Sequence, residues 1–459
     1  MPFTLFKHST ISYPMNPIKI IAGTFILLLP FTRILSSTPD SIALIDKIYQ
    51  ENIASTRLVC PLVQYEWPIW VLNEPSSVMQ LEFDDLDGGD KYYEYSILHC
   101  TSDWSAPSGI DFSEYSDGYL LTEIENFDYS FNTKINYTHY TVHWDASNAP
   151  WTKSGNYLII VWDVTGDEKV LAFTKRMLVV DPVVLPVVEH SLPLKTGQQR
   201  THQGLQVSLD LSDLTLRRPR EYIHLSIYQN MRWDLCLPNL KYQSYIGSVL
   251  YFNGPDQIVF PGLKEFRSLD MRSLKWRTRD VFSLENGEET YSLILEKNRP
   301  RTYKEYVNDR DRNGTYFPEN FDYRNQPNLR LDYADVLFTL QTHELEGKKI
   351  YVTGGYWGWR TGDKTELHYD ASRSAYFLQT RIKQGYYDYM YVVVDIKTGQ
   401  KNLIALEGSS ANTDNDYQVC VYYRDPGENY DQLIGIVNYR FLFGETPFYK
   451  SGVRLKVGK

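Results

Sequence analysis

The fold is decided by two neighbouring runs between Glu125 and Trp144: Asp128-Tyr129-Ser130-Phe131-Asn132-Thr133, then Tyr137-Thr138-His139-Tyr140-Thr141-Val142-His143-Trp144. Aromatic and β-branched residues dominate both, spaced two apart, the repeat of a strand with one buried face. Tyr129 and Phe131 share a face of the first run. Thr138, Tyr140, Val142 and Trp144 share a face of the second. The more polar opposite face of the second run carries Tyr137, His139, Thr141 and His143. Asn132-Thr133-Lys134 is a polar spacer able to close a turn. The stretch predicts a β-hairpin in the middle of a sandwich sheet.

The rest of the chain has the same character. Its 37 tyrosines and its lack of alanine-rich amphipathic runs favour strands over helices. At 459 residues it exceeds one small core, so two to four domains are expected. A net charge of −10 argues against a nucleic-acid binder, which would present a basic face. Near the start, Lys19 precedes an apolar run from Ile20 to Phe31, and Ser36-Ser37 supply small residues. That order predicts a secretory signal peptide over residues 1–37, with translation starting at Met1 or Met15. Cys60, Cys100, Cys236 and Cys420 lie far apart. Export permits disulfides, and the spacing leaves their pairing, or their role as small buried hydrophobes, open.

Turn signals divide the mature chain. Asp84 to Asp90 contains Gly88-Gly89 and separates strands at Val78–Phe83 and Tyr92–Cys100. Gln64–Leu72 reads as an edge strand broken by Pro68. Further strands at Tyr157–Val164 and Lys175–Val180 complete an immunoglobulin-like sandwich over 38–183. A second β module is expected over 184–330, with strands at Gln206–Leu211, Tyr222–Tyr228, Leu269–Trp276 and Tyr291–Leu295. It ends in a polar irregular connection from Asn298 to Arg330. A C-terminal sandwich similar to the early-set type is expected over 331–459, giving an all-β chain of tandem sandwich modules.

Several motifs recur in one order. Asp103-Trp104, Glu114-Tyr115, Asp117-Gly118, Ser130-Phe131-Asn132-Thr133, Tyr137-Thr138-His139-Tyr140 and Ser154-Gly155-Asn156-Tyr157 come first. Arg232-Trp233-Asp234, Phe260-Pro261-Gly262, Glu265-Phe266-Arg267 and Asp270-Met271-Arg272-Ser273-Leu274 follow. Lys383-Gln384-Gly385-Tyr386-Tyr387 and Asn415-Asp416-Tyr417 close the series. Together they resemble the type IX secretion system plug protein family of Bacteroidota, from about Tyr65 to Gly435. The resemblance implies a periplasmic, non-enzymatic protein at the outer membrane. Its partner would be the outer-membrane translocon barrel, whose pore it closes between transport events. The chain departs at Leu263-Lys264, where a glycine and a polar residue are usual after Pro261-Gly262, and that departure questions a local turn.

A steric seal needs anchors rather than chemistry, and aromatic and arginine side chains supply them. Trp104 and Tyr115 in the first module, with Arg232 and Trp233 in the second, are the expected partner-binding residues. Other constellations fall short of a site. Asp309, Asp311, Asn313 and Gly314 open a calcium-loop pattern, but position twelve is Asn320, so a polar turn is expected there. His139 and His143 lack a third metal ligand. No nucleophile elbow or zinc-protease motif is present, and no metal or other cofactor is expected. Gly354 to Trp359 carries Trp357 and Trp359, which on a sandwich loop could stack on sugars. A periplasmic carbohydrate-binding protein is the rival reading, and a two-carboxylate glycosidase is a further one.

Overall fold

In the computed structural model, the described residues are 42–61, 67–309, 311–323, 327–444 and 448–450. The expected signal segment over 1–37, with Ser36 and Ser37, lies outside them, as does the start of the Gln64–Leu72 strand. Ala43–Lys459 is one compact unit, built almost wholly from strands.

The first module is a two-sheet sandwich. One sheet runs Lys47–Ile48, Val170–Val180, Gly155–Asp163, Tyr93–Cys100, Thr122–Glu123, with Ile69–Val71 added in parallel beside Leu178–Val180. The other runs Ile53–Val59, Met79–Asp85, Thr138–Trp144, Asn126–Tyr129. Alternation explains the core between them: Phe83, Tyr140 and Trp144 point inward from one sheet, Tyr93 and Phe173 from the other. Phe83 stacks on Tyr140 at 5.0 Å and meets Tyr93 edge-on at 5.0 Å, the offset geometries that aromatic quadrupoles favour.

The expected hairpin exists, with Asn126–Tyr129 antiparallel to Thr138–Trp144. Its position differs from the expectation. Asn126–Tyr129 is the edge strand of its sheet, and all four of its residues are exposed. The pattern misled because a period of two says only that residues share a face; it does not say that the face is covered.

The second module is discontinuous. One sheet is Val187–Ser191, His202–Asp210, Val249–Phe252 and Ser244–Ile246, with Val259–Pro261 beside His202. The facing sheet joins Cys236–Leu240 and Ile223–Gln229 to Asn415–Tyr423, Gln432–Phe441 and Phe448–Lys450. The third module, a ten-stranded sheet spanning Arg267 to Asn402 around one core, is inserted between these halves. The boundary expected between 330 and 331 therefore falls inside that sheet, where Tyr291–Leu295 pairs in parallel with Tyr333–Leu340. The expected third module loses Asn415–Phe441 to the second, because Ile223–Gln229 takes Tyr417–Tyr423 as its neighbour. Two local expectations change as well. The strand at Leu269–Trp276 shrinks to Arg267–Asp270, and the connection from 298 to 330 contains Tyr316–Pro318, which pairs with Gly385–Tyr387.

The turn questioned at Leu263 is present. Leu263 takes φ +57°, the left-handed region where glycine is favoured and other residues cost about 1–2 kcal/mol. Its side chain is buried, and its carbonyl accepts from Ser410 N–H at 2.7 Å and Thr413 Oγ1 at 3.0 Å. Burial of a leucine side chain, about 1.5–3 kcal/mol, offsets that strain. Next to it, a Cβ on Gly262 would lie 1.9 Å from the Ser410 carbonyl oxygen, so only glycine fits.

Candidate functional site

The four residues nominated from sequence go to three different environments. Tyr115 ends the short helix Phe112–Tyr115 and is buried in the first core, its hydroxyl donating to the Ile97 carbonyl at 3.3 Å. Arg232 is fully buried, pairing with Asp234 at 3.0 Å and lying 4.2 Å over the Trp359 ring. Neither has a surface to present to a partner. Trp104 and Trp233 are half-buried and meet edge-on at 5.3 Å, with Trp104 Nε1 donating to Tyr228 Oη at 3.3 Å. They belong to an apolar cluster joining the first and second modules, with Trp67, Leu178, Tyr422 and Ile436 at its centre. The structure thus unites Trp104, Trp233 and, through Trp359, Arg232 at one junction, and leaves Tyr115 in a separate core. Tyr115→Ala is expected to cost about 3–5 kcal/mol of stability, as truncation of a buried aromatic does, and urea melts measure it. A loss below about 1 kcal/mol would contradict the packing.

A cleft of about 120 Å³ opens where the three modules meet. The strand Ile53–Val59 contributes Thr56 and Arg57, the strand Val170–Val180 contributes Lys175 and Arg176, and Trp67, Trp233, Tyr316 and Trp359 form walls. Trp67 and Trp233 are 4.0 Å apart, and Arg176 lies 4.8 Å over Trp233. Sequence reasoning missed Arg57, Lys175, Arg176 and Trp67. Only their juxtaposition marks them, since Arg57 and Trp67 lie more than 100 positions before Lys175 and Arg176.

An exposed apolar rim is the second feature. Between the edge strand Thr122–Glu123 of one sheet and the edge strand Asn126–Tyr129 of the other, the chain crosses the open side of the first sandwich. Tyr119 (82% exposed), Leu120 (63%), Leu121, Phe127, Tyr129 and Phe131 (56%) face solvent along it. A cavity of about 370 Å³ lies beside the rim, lined by Tyr119, Ile124 and Val142 among others. The loop beyond the edge strand is tied down rather than loose. Phe131 N–H donates to Leu329 O at 2.8 Å, Lys134 N–H to Asp332 Oδ2 at 2.7 Å, and Arg330 sits 4.8 Å over the Phe131 ring. Contiguous exposed apolar surface marks an interaction site, and an unpaired strand edge is a template for another chain.

The remaining constellations disperse. Asp309 pairs with Arg279 at 3.3 Å, whereas Asp311 turns inward and accepts from Asn313 N–H at 2.8 Å. His139 donates toward Asp84 at 2.7 Å, away from the exposed His143. Trp359 is buried against Phe266 and Trp357 packs near Phe338, so the two rings offer no shared flat platform for a sugar. All four cysteines are free thiols; burial pushes Cys100 up to about 12. No helix among the described residues is long and apolar enough to cross a membrane.

Residues 53–181, which run from the first strand of one sheet to the last strand of the other, match the family model described as Type 9 secretion system plug protein 1st domain. A crystal structure of a hypothetical protein from Parabacteroides merdae ATCC 43184 is similar over most of the chain. It shares 26% identity at a TM-score of 0.81, covering 86% of this chain and 99% of that one. The C-terminal domain of the Streptococcus pyogenes antigen I/II-family protein AspA aligns at 8% identity over 84% of this chain and 98% of that one. Its TM-score of 0.17 carries no weight. No curated protein matches the sequence.

Proposed function

We propose that this chain, whose residues 53–181 belong to the type 9 secretion system plug 1st-domain family, is a steric plug for that system's outer-membrane translocon barrel. On this reading it sits on the periplasmic side and closes the pore between transport events. That family is not an enzymatic one, and a seal requires shape and adhesion rather than catalysis. The observation that carries the reading is that the family-matched module itself bears the uncovered rim from Tyr119 to Phe131. Aromatic side chains at the centre of an interface supply most of its binding energy with little loss of rotamer freedom. The free edge of Asn126–Tyr129 adds backbone donors and acceptors for a strand of the partner.

Tyr119→Asp with Leu120→Asp, and separately Phe131→Asp, are expected to weaken capture of the detergent-solubilised barrel about 30-fold, the loss of one hot spot of about 2 kcal/mol. Melting temperatures should barely move, because the three side chains are exposed. Leu192→Asp with Leu194→Asp, equally exposed on the second module, serves as the control and should leave capture unchanged. Deleting the gene should raise uptake of a normally excluded antibiotic. Unchanged capture by the rim variants together with unchanged uptake would sink the proposal. Retention on polysaccharide beads would favour the carbohydrate-binding reading instead.

A further inference from the structure

The three-module cleft carries more positive charge than its own carboxylates balance. Arg57, Lys175 and Arg176 line it, with Asp46 as the one anionic lining residue among the described residues. Asp46 is shared: its Oδ1 takes the Arg176 backbone N–H at 2.9 Å and the guanidinium Nε at 3.2 Å, and its Oδ2 lies 3.7 Å from Lys175 Nζ. Glu82, behind Arg57, takes the Arg57 Nη1. Two carboxylates thus serve three cations. Arg57 Nη2 and Trp67 Nε1, both on residues more than nine-tenths buried, have no hydrogen-bond partner among the described residues. A buried donor without an acceptor costs about 1–3 kcal/mol, more on a charged group, and so calls for an acceptor in the space it faces. Burial, together with Arg57 and Arg176, holds the Lys175 ammonium below its usual range against the pull of Asp46.

We infer that this cleft binds a small carboxylate, held by Arg57, Lys175 and Arg176 and walled by Trp67, Trp233 and Tyr316. A guanidinium fork matches a planar carboxylate, and aromatic faces accept the apolar remainder of the ligand. The cavity volume exceeds several-fold the minimum for one water, so a small organic acid fits. Because all three modules contribute lining residues, occupancy fastens them together. Binding to the folded state alone stabilises by mass action.

Benzoate is the probe, added to the full chain. It is expected to change tryptophan fluorescence saturably and to raise the melting temperature, whereas benzamide, of the same shape without the charge, does neither. Lys175→Met, which breaks only the 3.7 Å pair with Asp46, should fold and weaken benzoate about tenfold. Arg57→Gln should weaken it further; if loss of the Glu82 pair unfolds that variant, Lys175→Met decides the matter. No saturable response to benzoate, equal responses to benzoate and benzamide, or a response to inorganic phosphate alone would each overturn the assignment. So would unchanged affinity in a folded Lys175→Met protein. These readouts need no translocon, so they stand or fall separately from barrel capture.

Discussion

Replacing Asp84 with alanine is expected to remove about 3–5 kcal/mol of stability, a large share of the 5–15 kcal/mol typical of a folded domain. Asp84 is fully buried on the strand Met79–Asp85, where the first module meets the third. Its Oδ1 accepts from His139 Nδ1 at 2.7 Å, and its Oδ2 from Lys383 Nζ and Tyr333 Oη, each at 2.5 Å. Burial alone would push the carboxyl up, but Lys383 and His139 overcome this and hold it below the usual carboxylate range. Tyr333 also shares a 2.7 Å hydrogen bond with Ser55, and Lys383 lies 4.4 Å over the Tyr137 ring. Alanine at 84 leaves the Lys383 ammonium, itself only 2% exposed, without its counter-charge.

The comparison that isolates this effect is Asp84→Ala with Lys383→Met. Deleting both charges removes the orphan, and replacing a buried ion pair by apolar groups is often neutral or better. Most of the lost stability should therefore return in the double variant, measured by urea denaturation. A single-variant loss below about 1 kcal/mol, or a double variant as weak as the single, would mean that the junction between these modules is held by other contacts.

The same junction indicates what sequence can and cannot deliver. The strands at Met79–Asp85, Tyr93–Cys100 and Tyr291–Leu295 are legible in the sequence to within a residue or two. Alternation is local, and a strand carries it whichever neighbour it takes. The pairing of Ile223–Gln229 with Asn415–Tyr423 spans nearly 200 residues, and nothing in either run names the other. The inserted third module was invisible for that reason. Residue type failed in a related way at the candidate site. Tyr115 and Arg232 are the types that anchor interfaces, yet the same size and donor capacity serve a core, where both sit. Conversely, Phe127, Tyr129 and Phe131 have the spacing of a buried face and are exposed. The resemblance carried the family assignment; the rim and the cationic cleft needed the assembled chain.

Acid is expected to loosen the contact between the first and second modules, with the loss concentrated between pH 6.5 and 4. His99 and His224 face that contact, and burial pushes each down from 6.5 to about 4. His99 Nε2 lies 3.2 Å from the Ser154 carbonyl, and His224 Nε2 lies 3.0 Å from Ser102 Oγ, which in turn donates to Asp431 at 2.7 Å. Within the window the unfolded chain takes up protons that the folded chain refuses. Stability is therefore complete above pH 6.5 and falls as pH drops, by up to ~3 kcal/mol per histidine. The buried Asp311–Asp388 pair in the third module acts with the opposite sign. Burial raises both carboxyls, Asp388 to about 6, so between about 4 and 6 the folded chain holds protons that the unfolded chain releases. Acidification to that range favours folding at this pair and offsets part of the histidine loss. Single variants separate the two contributions. His99→Gln or His224→Gln should roughly halve the histidine part of the decline, and Asp388→Asn should steepen the decline by removing the opposing carboxyl. Urea melts of each protein at pH 7.5, 6 and 4.5 measure the slopes. A decline that persists unchanged in the double histidine variant would place its source elsewhere.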